Sequence, residues 1–206
     1  MLFSNYADFR NKVQTLIDGD DISTSDLSVD VLDLLIGQGE QRIYRDIRSS
    51  TQESALSVTA TGNTATLPTD FLELINLYVS GFQSATYVPL EAMQTLVQQS
   101  TTTSARSLRY SQIGDTLVFF PKLPDTTVVS GTYYKRFTDI SGGLNALFNR
   151  HPDLFVYAAL SESAPFLGET TRLPIWKQTY TELAYAVNEQ ERRRKTRGSK
   201  LSTRVA

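Results

Sequence analysis

Cysteine is absent from the 206 residues, which removes disulfides, zinc-thiolate sites, iron-sulfur clusters and thiol nucleophiles together. Histidine occurs once, as His151, too few for a multi-histidine metal site or a triad with an evident partner set. Its place directly before Pro152 reads as a helix cap or a surface residue. No apolar run approaches the roughly 18 residues a membrane helix needs, and the start MLFSNYADFRNK has no basic segment followed by an apolar one. The chain therefore reads as soluble, without membrane contact and untargeted. Phosphate-binding glycine loops are missing too: GLNALFN after Gly142 has no Lys-Ser/Thr ending, and IGQGE lies inside a helical pattern. Ser161 lacks the flanking glycines of a nucleophile elbow. Asp18, Asp20 and Asp21 lack the spaced ligands and closing Glu of a calcium loop. Carboxylate pairs such as Glu162 and Glu169 suit a solvated surface unless a pocket holds them. Nothing in this pattern requires a cofactor or a metal, and nothing reads as an enzyme.

What is present is the balance of a folded protein: 40% hydrophobic residues, 20% charged, ten Tyr and ten Phe. Net charge is −2 but unevenly placed. Arg192, Arg193, Arg194, Lys195, Arg197, Lys200 and Arg204 put seven positive charges into the last fifteen residues, leaving −9 on the other 191. An acidic body carries a basic end.

The pattern along the chain is α+β: N-terminal helices over 1–50, a central antiparallel β module over 51–140, a C-terminal helical hairpin over 141–190 and a basic tail over 191–206. Asn5 can cap a first helix in which Phe9, Val13, Leu16 and Ile17 recur at helical spacing. A second helix is expected from Ser25 to about Arg48. Leu27, Val31, Leu34 and Leu35 lie on one stripe, and Leu32, Ile36, Ile43 and Ile47 on a neighbouring one, so the helix should be buried on two sides. Gly37 and Gly39 each cost about 1 kcal/mol against Ala inside a helix. Close approach of another backbone and a local kink are both open reasons.

After Ser49 short runs rich in Thr, Val, Tyr and Phe alternate with turns. Gly62-Asn63 and Gly114-Asp115 each suggest a hairpin, and PLEAMQTLVQQ reads as a short helix opened by Pro89. Five or six strands joined by turns, without crossover helices, predict an antiparallel sheet or small sandwich. From Pro152 helix returns, with Val156, Leu160, Ala164 and Leu167 on one stripe and Pro165 bending or ending it. Pro174 opens the next helix, whose face carries Trp176, Tyr180, Leu183, Ala184 and Val187.

The basic run has three readings: a solvated tail, an arm for nucleic-acid phosphates, or a grip on the carboxylates of an acidic protein. The residues alone do not separate them. Tyr133, Tyr134 and Phe137 could stack bases, but strand alternation sends Tyr133 and Tyr134 to opposite faces, which favours core packing.

Three stretches together resemble the head-to-tail adaptor (connector) proteins of short-tailed bacteriophages. They are LLIGQGEQRIYRDIRSSTQES (34–54), ATLPTDFLELINLYV (65–79) and HPDLFVYAALSESAPFLGETTRLPIWKQTYTELAYAVNEQERR (151–193). They share the family's long Glu/Arg helix before a sheet, its Leu-Pro-x-Asp-Phe strand start and its closing hairpin with Pro-Asp and Ala-Pro-Phe-Leu. The resemblance implies a virion structural protein, made in the host cytoplasm, whose ring of twelve copies sits beneath the portal and meets the tail nozzle or fibres. It implies a DNA channel without specific DNA binding. A cyclic ring needs two unlike adhesive faces on each subunit. Leu32, Ile36, Ile43, Ile47, Ala158 and Ala159 are expected to supply them, and the seven C-terminal cations to bind the portal.

Overall fold

The computed structural model describes residues 3–18, 28–82, 84–99, 107–168 and 171–196. Asn5 opens the first helix as expected: its side-chain oxygen accepts the Asp8 N–H at 2.9 Å, and α1 runs Tyr6–Asp18. Phe9, Val13 and Ile17 are buried, while Leu16 faces solvent. The second helix, α2, spans Val29–Asp46, with the Ser28 hydroxyl accepting the Val31 N–H as its cap; the expected start at Ser25 lies outside the described residues.

Residues Met1–Thr51 and Phe137–Ala206 form one compact unit, and Gln52–Arg136 form another. In the first, α1 and α2 share a core with α4 (Ala146–Arg150), α5 (Pro152–Leu167) and α6 (Leu173–Thr196). The N-terminal helices and the C-terminal hairpin, far apart in sequence, thus build a single hydrophobic interior. At its centre the rings of Phe3, Phe9, Phe148 and Phe155 meet in edge-on and tilted contacts at 5.0–5.7 Å between centroids. Leu154, Phe155, Ala158, Ala159, Leu160, Ser161, Ser163 and Ala164 bury α5 along nearly its whole circumference. The Ser161 and Ser163 hydroxyls are satisfied by donating back to the Ala158 and Leu160 carbonyls. Pro165 lies in the last turn of α5, which ends at Leu167 with Gly168 in the left-handed region (φ 70°).

The two helical glycines separate in meaning. A Cβ on Gly39 would lie 2.9 Å from the Ala158 carbonyl carbon and the Ala159 nitrogen, so α2 and α5 cross backbone against backbone at this point. A Cβ on Gly37 would meet nothing within 4 Å. Close approach explains Gly39; nothing in the structure requires Gly37.

Among the described residues the second unit holds seven strands: β1 (Glu53–Thr59), β2 (Thr64–Thr66), β3 (Phe71–Val79), β4 (Ser84–Tyr87), β5 (Ser107–Ile113), β6 (Thr116–Phe120) and β7 (Val128–Lys135). They form two sheets, ordered β1-β7-β3 and β2-β6-β5-β4, around a core that includes Leu56, Leu108, Leu117, Phe119 and Val129. Two expectations change. The Gly62-Asn63 turn is present and closes one antiparallel bridge between Thr61 and Thr64, but beyond it β1 pairs with β7 and β2 with β6, so the turn carries the chain from one sheet to the other. The module is also not wholly antiparallel. Helix α3 (Leu90–Gln99) lies between β4 and β5 in the chain, and these two strands run parallel, a geometry that requires such a long connection. The Gly114-Asp115 hairpin joins β5 to β6 as expected, and Tyr133 and Tyr134 are both buried.

Candidate functional site

The six residues expected at a subunit interface lie elsewhere. Leu32, Ile36, Ile43, Ile47, Ala158 and Ala159 are only 0–2% exposed and belong to the core of their own chain. Of the two stripes of α2, Leu32, Ile36, Ile43 and Ile47 are covered by helices of the same chain, whereas on the other Leu35 is buried, Leu34 is exposed and Leu27 lies outside the described residues. Apolar side chains that remain outside include Leu34 on α2 (60% exposed), Phe166 near the end of α5 (61%), and Ile175 (62%) and Tyr185 (72%) on α6.

The basic end also differs from a free tail. Helix α6 continues to Thr196, so Arg192, Arg193, Arg194 and Lys195 occupy its last turns. Their place is favourable, since cations complement the negative end of a helix dipole. Arg197, Lys200 and Arg204 lie outside the described residues. Glu189 accepts from Arg192 Nε (2.7 Å) and Arg193 Nε (3.0 Å), and these two arginines hold its carboxyl down at about 2.

One carboxylate at this end is nearly enclosed. Glu191 is 6% exposed, and its Oε1 accepts from the Ser49 and Ser50 hydroxyls at 3.1 Å each. Arg150 Nη1, 3.6 Å from Oε1, reaches it from the end of α4, and Arg194 Nε donates to Oε2 at 3.2 Å. Burial alone would raise its pKa, yet the Ser50 N–H, the two hydroxyls and Arg194 keep it below the ordinary value. A groove of about 590 Å³ lies alongside, lined by Arg150, Tyr185, Ala186, Gln190, Arg193 and Arg194 among others.

Sequence reading gave no role to Arg150, Tyr185 or Glu191. A signal for Glu191 existed: Tyr180, Ala184 and Val187 are the buried face of α6, and the next step at helical spacing is Glu191.

A second polar network sits on α2. The buried Glu40 accepts from the Tyr44 hydroxyl and from the Ile140 N–H (2.9 Å), while Asn145 Nδ2 donates to the Tyr44 oxygen at 2.7 Å. Burial raises the Glu40 pKa against those two hydrogen bonds, and the nearby Asp139 adds to the rise. Arg42 ties α2 to both hairpin helices, donating to Glu162 at 2.9 Å and covering the Tyr180 ring at 4.5 Å from its centroid. These partners are side chains fastening helix to helix, an arrangement that holds a shape. His151 ends α4 and precedes α5 without a side-chain capping bond, and burial lowers its pKa. Among the described residues no three His, Asp or Glu groups gather as a metal site, and no helix is long and apolar enough to cross a membrane.

No curated protein sequence matches this chain. The model of the SU10 adaptor protein family matches residues 4–204, nearly the whole length, and so the chain belongs to the SU10 adaptor protein family, a family of phage structural adaptors.

Proposed function

We propose that the protein is the head-to-tail adaptor of a phage virion, assembling as a ring, of twelve copies by the resemblance above, that joins the portal to the tail nozzle or fibres at the neck. The observation that carries this reading is the family match across both compact units, residues 4–204. The surface suits the role. With its core closed by its own helices, the subunit still exposes large apolar side chains on α2 and on α6. Two different helices can supply the unlike faces that a cyclic contact needs. Leu34 is the candidate on one face, Ile175 on the other. A standard contact burying roughly 1,600 Å² would give cohesion without cofactor or catalysis.

Arg192, Arg193, Arg194, Lys195, Arg197, Lys200 and Arg204 are proposed to grip the portal. Repeated around a ring, individually weak ion pairs add up through avidity. The −9 balance of the rest of the chain suits a channel through which DNA slides without being held. Mixing the purified chain with portal complex and imaging the product by electron microscopy tests the reading. A closed ring on the portal is expected, and a portal that stays bare refutes it.

A further inference from the structure

We propose that Arg150 and Arg194, with Tyr185 on the groove floor, form a receptor for an acidic segment of the partner protein, and that Glu191 positions both guanidiniums. The inference rests on the reading of the basic end as the end that faces a partner, and it gives that contact a chemistry and a place. Two elements converge here: Arg150 comes from α4 and Arg194 from α6, and both are drawn to the two oxygens of one nearly buried carboxylate. Glu191 is itself fixed by Ser49 and Ser50, so the guanidiniums are held by a built support and do not simply lie on a surface.

Charge is left over. Glu191 carries one negative charge between two arginines, and Glu189 repeats the arrangement with Arg192 and Arg193. Four arginines meet two carboxylates, an excess of two positive charges around the end of α6. Arg150 and Arg194 remain about half exposed beside the groove. Guanidinium forks match carboxylates in shape as well as charge. The Tyr185 ring and Ala186 add an apolar floor that a polypeptide can cover. A long polyanion would meet the repulsion of the acidic body, whereas a short acidic segment meets only the local field.

The test measures binding of the full chain to a fluorescent oligoglutamate peptide, and separately to a short DNA duplex, at low salt. Oligoglutamate should bind better than the duplex. Arg150→Gln and Arg194→Gln should each weaken peptide binding about tenfold, the worth of a charged hydrogen bond. Lys177→Gln, an exposed charge earlier on α6, should change it less than about twofold. Because either arginine change could loosen the support, Tyr185→Ala serves as the independent variant. Its ring is 72% exposed, and its loss should weaken peptide binding without lowering the melting temperature. The receptor is refuted by absence of peptide binding, by equal weakening in Lys177→Gln, or by tighter binding of the duplex. Peptide binding without a ring on the portal would sink the adaptor reading and leave the receptor standing; a ring without peptide binding would do the reverse.

Discussion

Gly37 and Gly39 lie two residues apart on one helix and should answer the same substitution with opposite sign. Ala at 37 has open space around its new methyl group, so only the helix propensity changes, and the free chain should gain about 1 kcal/mol. Ala at 39 earns the same gain but places Cβ 2.9 Å from backbone atoms of Ala158 and Ala159, which cannot rotate aside as a side chain could. Helices α2 and α5 would have to separate along a contact that also holds Leu35, Ile36 and Ile43. Overpacking of this kind costs up to about 3 kcal/mol, leaving a net loss of roughly 2. The two variants should then differ by about 3 kcal/mol, on the order of 6–12 °C in melting temperature for a chain of this size. Calorimetry of the two purified variants, with urea titration of each, reads the difference directly. Equal shifts, or a Gly39→Ala chain as stable as the unmodified one, would show that the helices do not meet backbone to backbone and would remove the reason given for Gly39.

Phe148→Ala should cost about 3–5 kcal/mol in urea unfolding, since the ring lies within 5.0–5.7 Å of Phe3, Phe9 and Phe155. Glu191→Gln keeps the shape but leaves Arg150 and Arg194 facing each other without a counter-charge, and should lower stability by about 1–2 kcal/mol. Because Glu189 and Glu191 have folded pKa values below the ordinary 4.5, they stabilise the fold above that pH, and the contribution fades as pH falls toward the value of about 2 held by Glu189. Urea midpoints measured from neutral pH downward should therefore drop in the acid limb, less steeply in Glu191→Gln; parallel curves would refute the assignment. Truncation after Thr196 should leave the melting temperature unchanged, whereas truncation after Gln190 should lower it by removing Glu191 from its place against Ser49 and Ser50. Portal binding by the shorter of these chains therefore mixes two effects, and the Thr196 truncation is the one that isolates Arg197, Lys200 and Arg204.

Much of the helical unit was legible because period and cap coincide: Asn5 before α1, Pro152 opening α5, and the stripe Tyr180, Ala184, Val187 on α6. The sheets were harder, since turn chemistry identifies a bend and not the partner of each strand. Gly62-Asn63 makes the same local turn whether the strands beyond its Thr61–Thr64 bridge go on to pair with each other or, as here, with β7 and β6. The parallel pair β4–β5 depends on α3 acting as a crossover, and a ten-residue helix gives no sign in sequence of which strands it connects. At the candidate site the arginines stood out as a run, while their support did not. Glu191 depends on Ser49, Ser50 and Arg150, which are at least 41 residues away in sequence and close only after folding.

The same reasoning shows why the expected interface residues ended in the core. Periodicity reports how much of a helix is covered and carries nothing about whose atoms cover it. In α2 the stripe of Leu32, Ile36 and Ile43 is claimed by the same chain, because Gly39 lets α5 come close enough for Ala158 and Ala159 to pack there. A helix brought that near excludes a neighbouring subunit from the same surface. Contacts between copies are proposed to fall on apolar positions left outside, Leu34 on α2 and Ile175 on α6. Polar substitution at these two leaves the interior untouched, so Leu34→Ser and Ile175→Ser chains should be within about 0.5 kcal/mol of the unmodified protein in stability. Leu34→Ser and Ile175→Ser should nevertheless fail to close a ring on the portal. A ring that forms undisturbed from either chain would place the contact between copies on other residues.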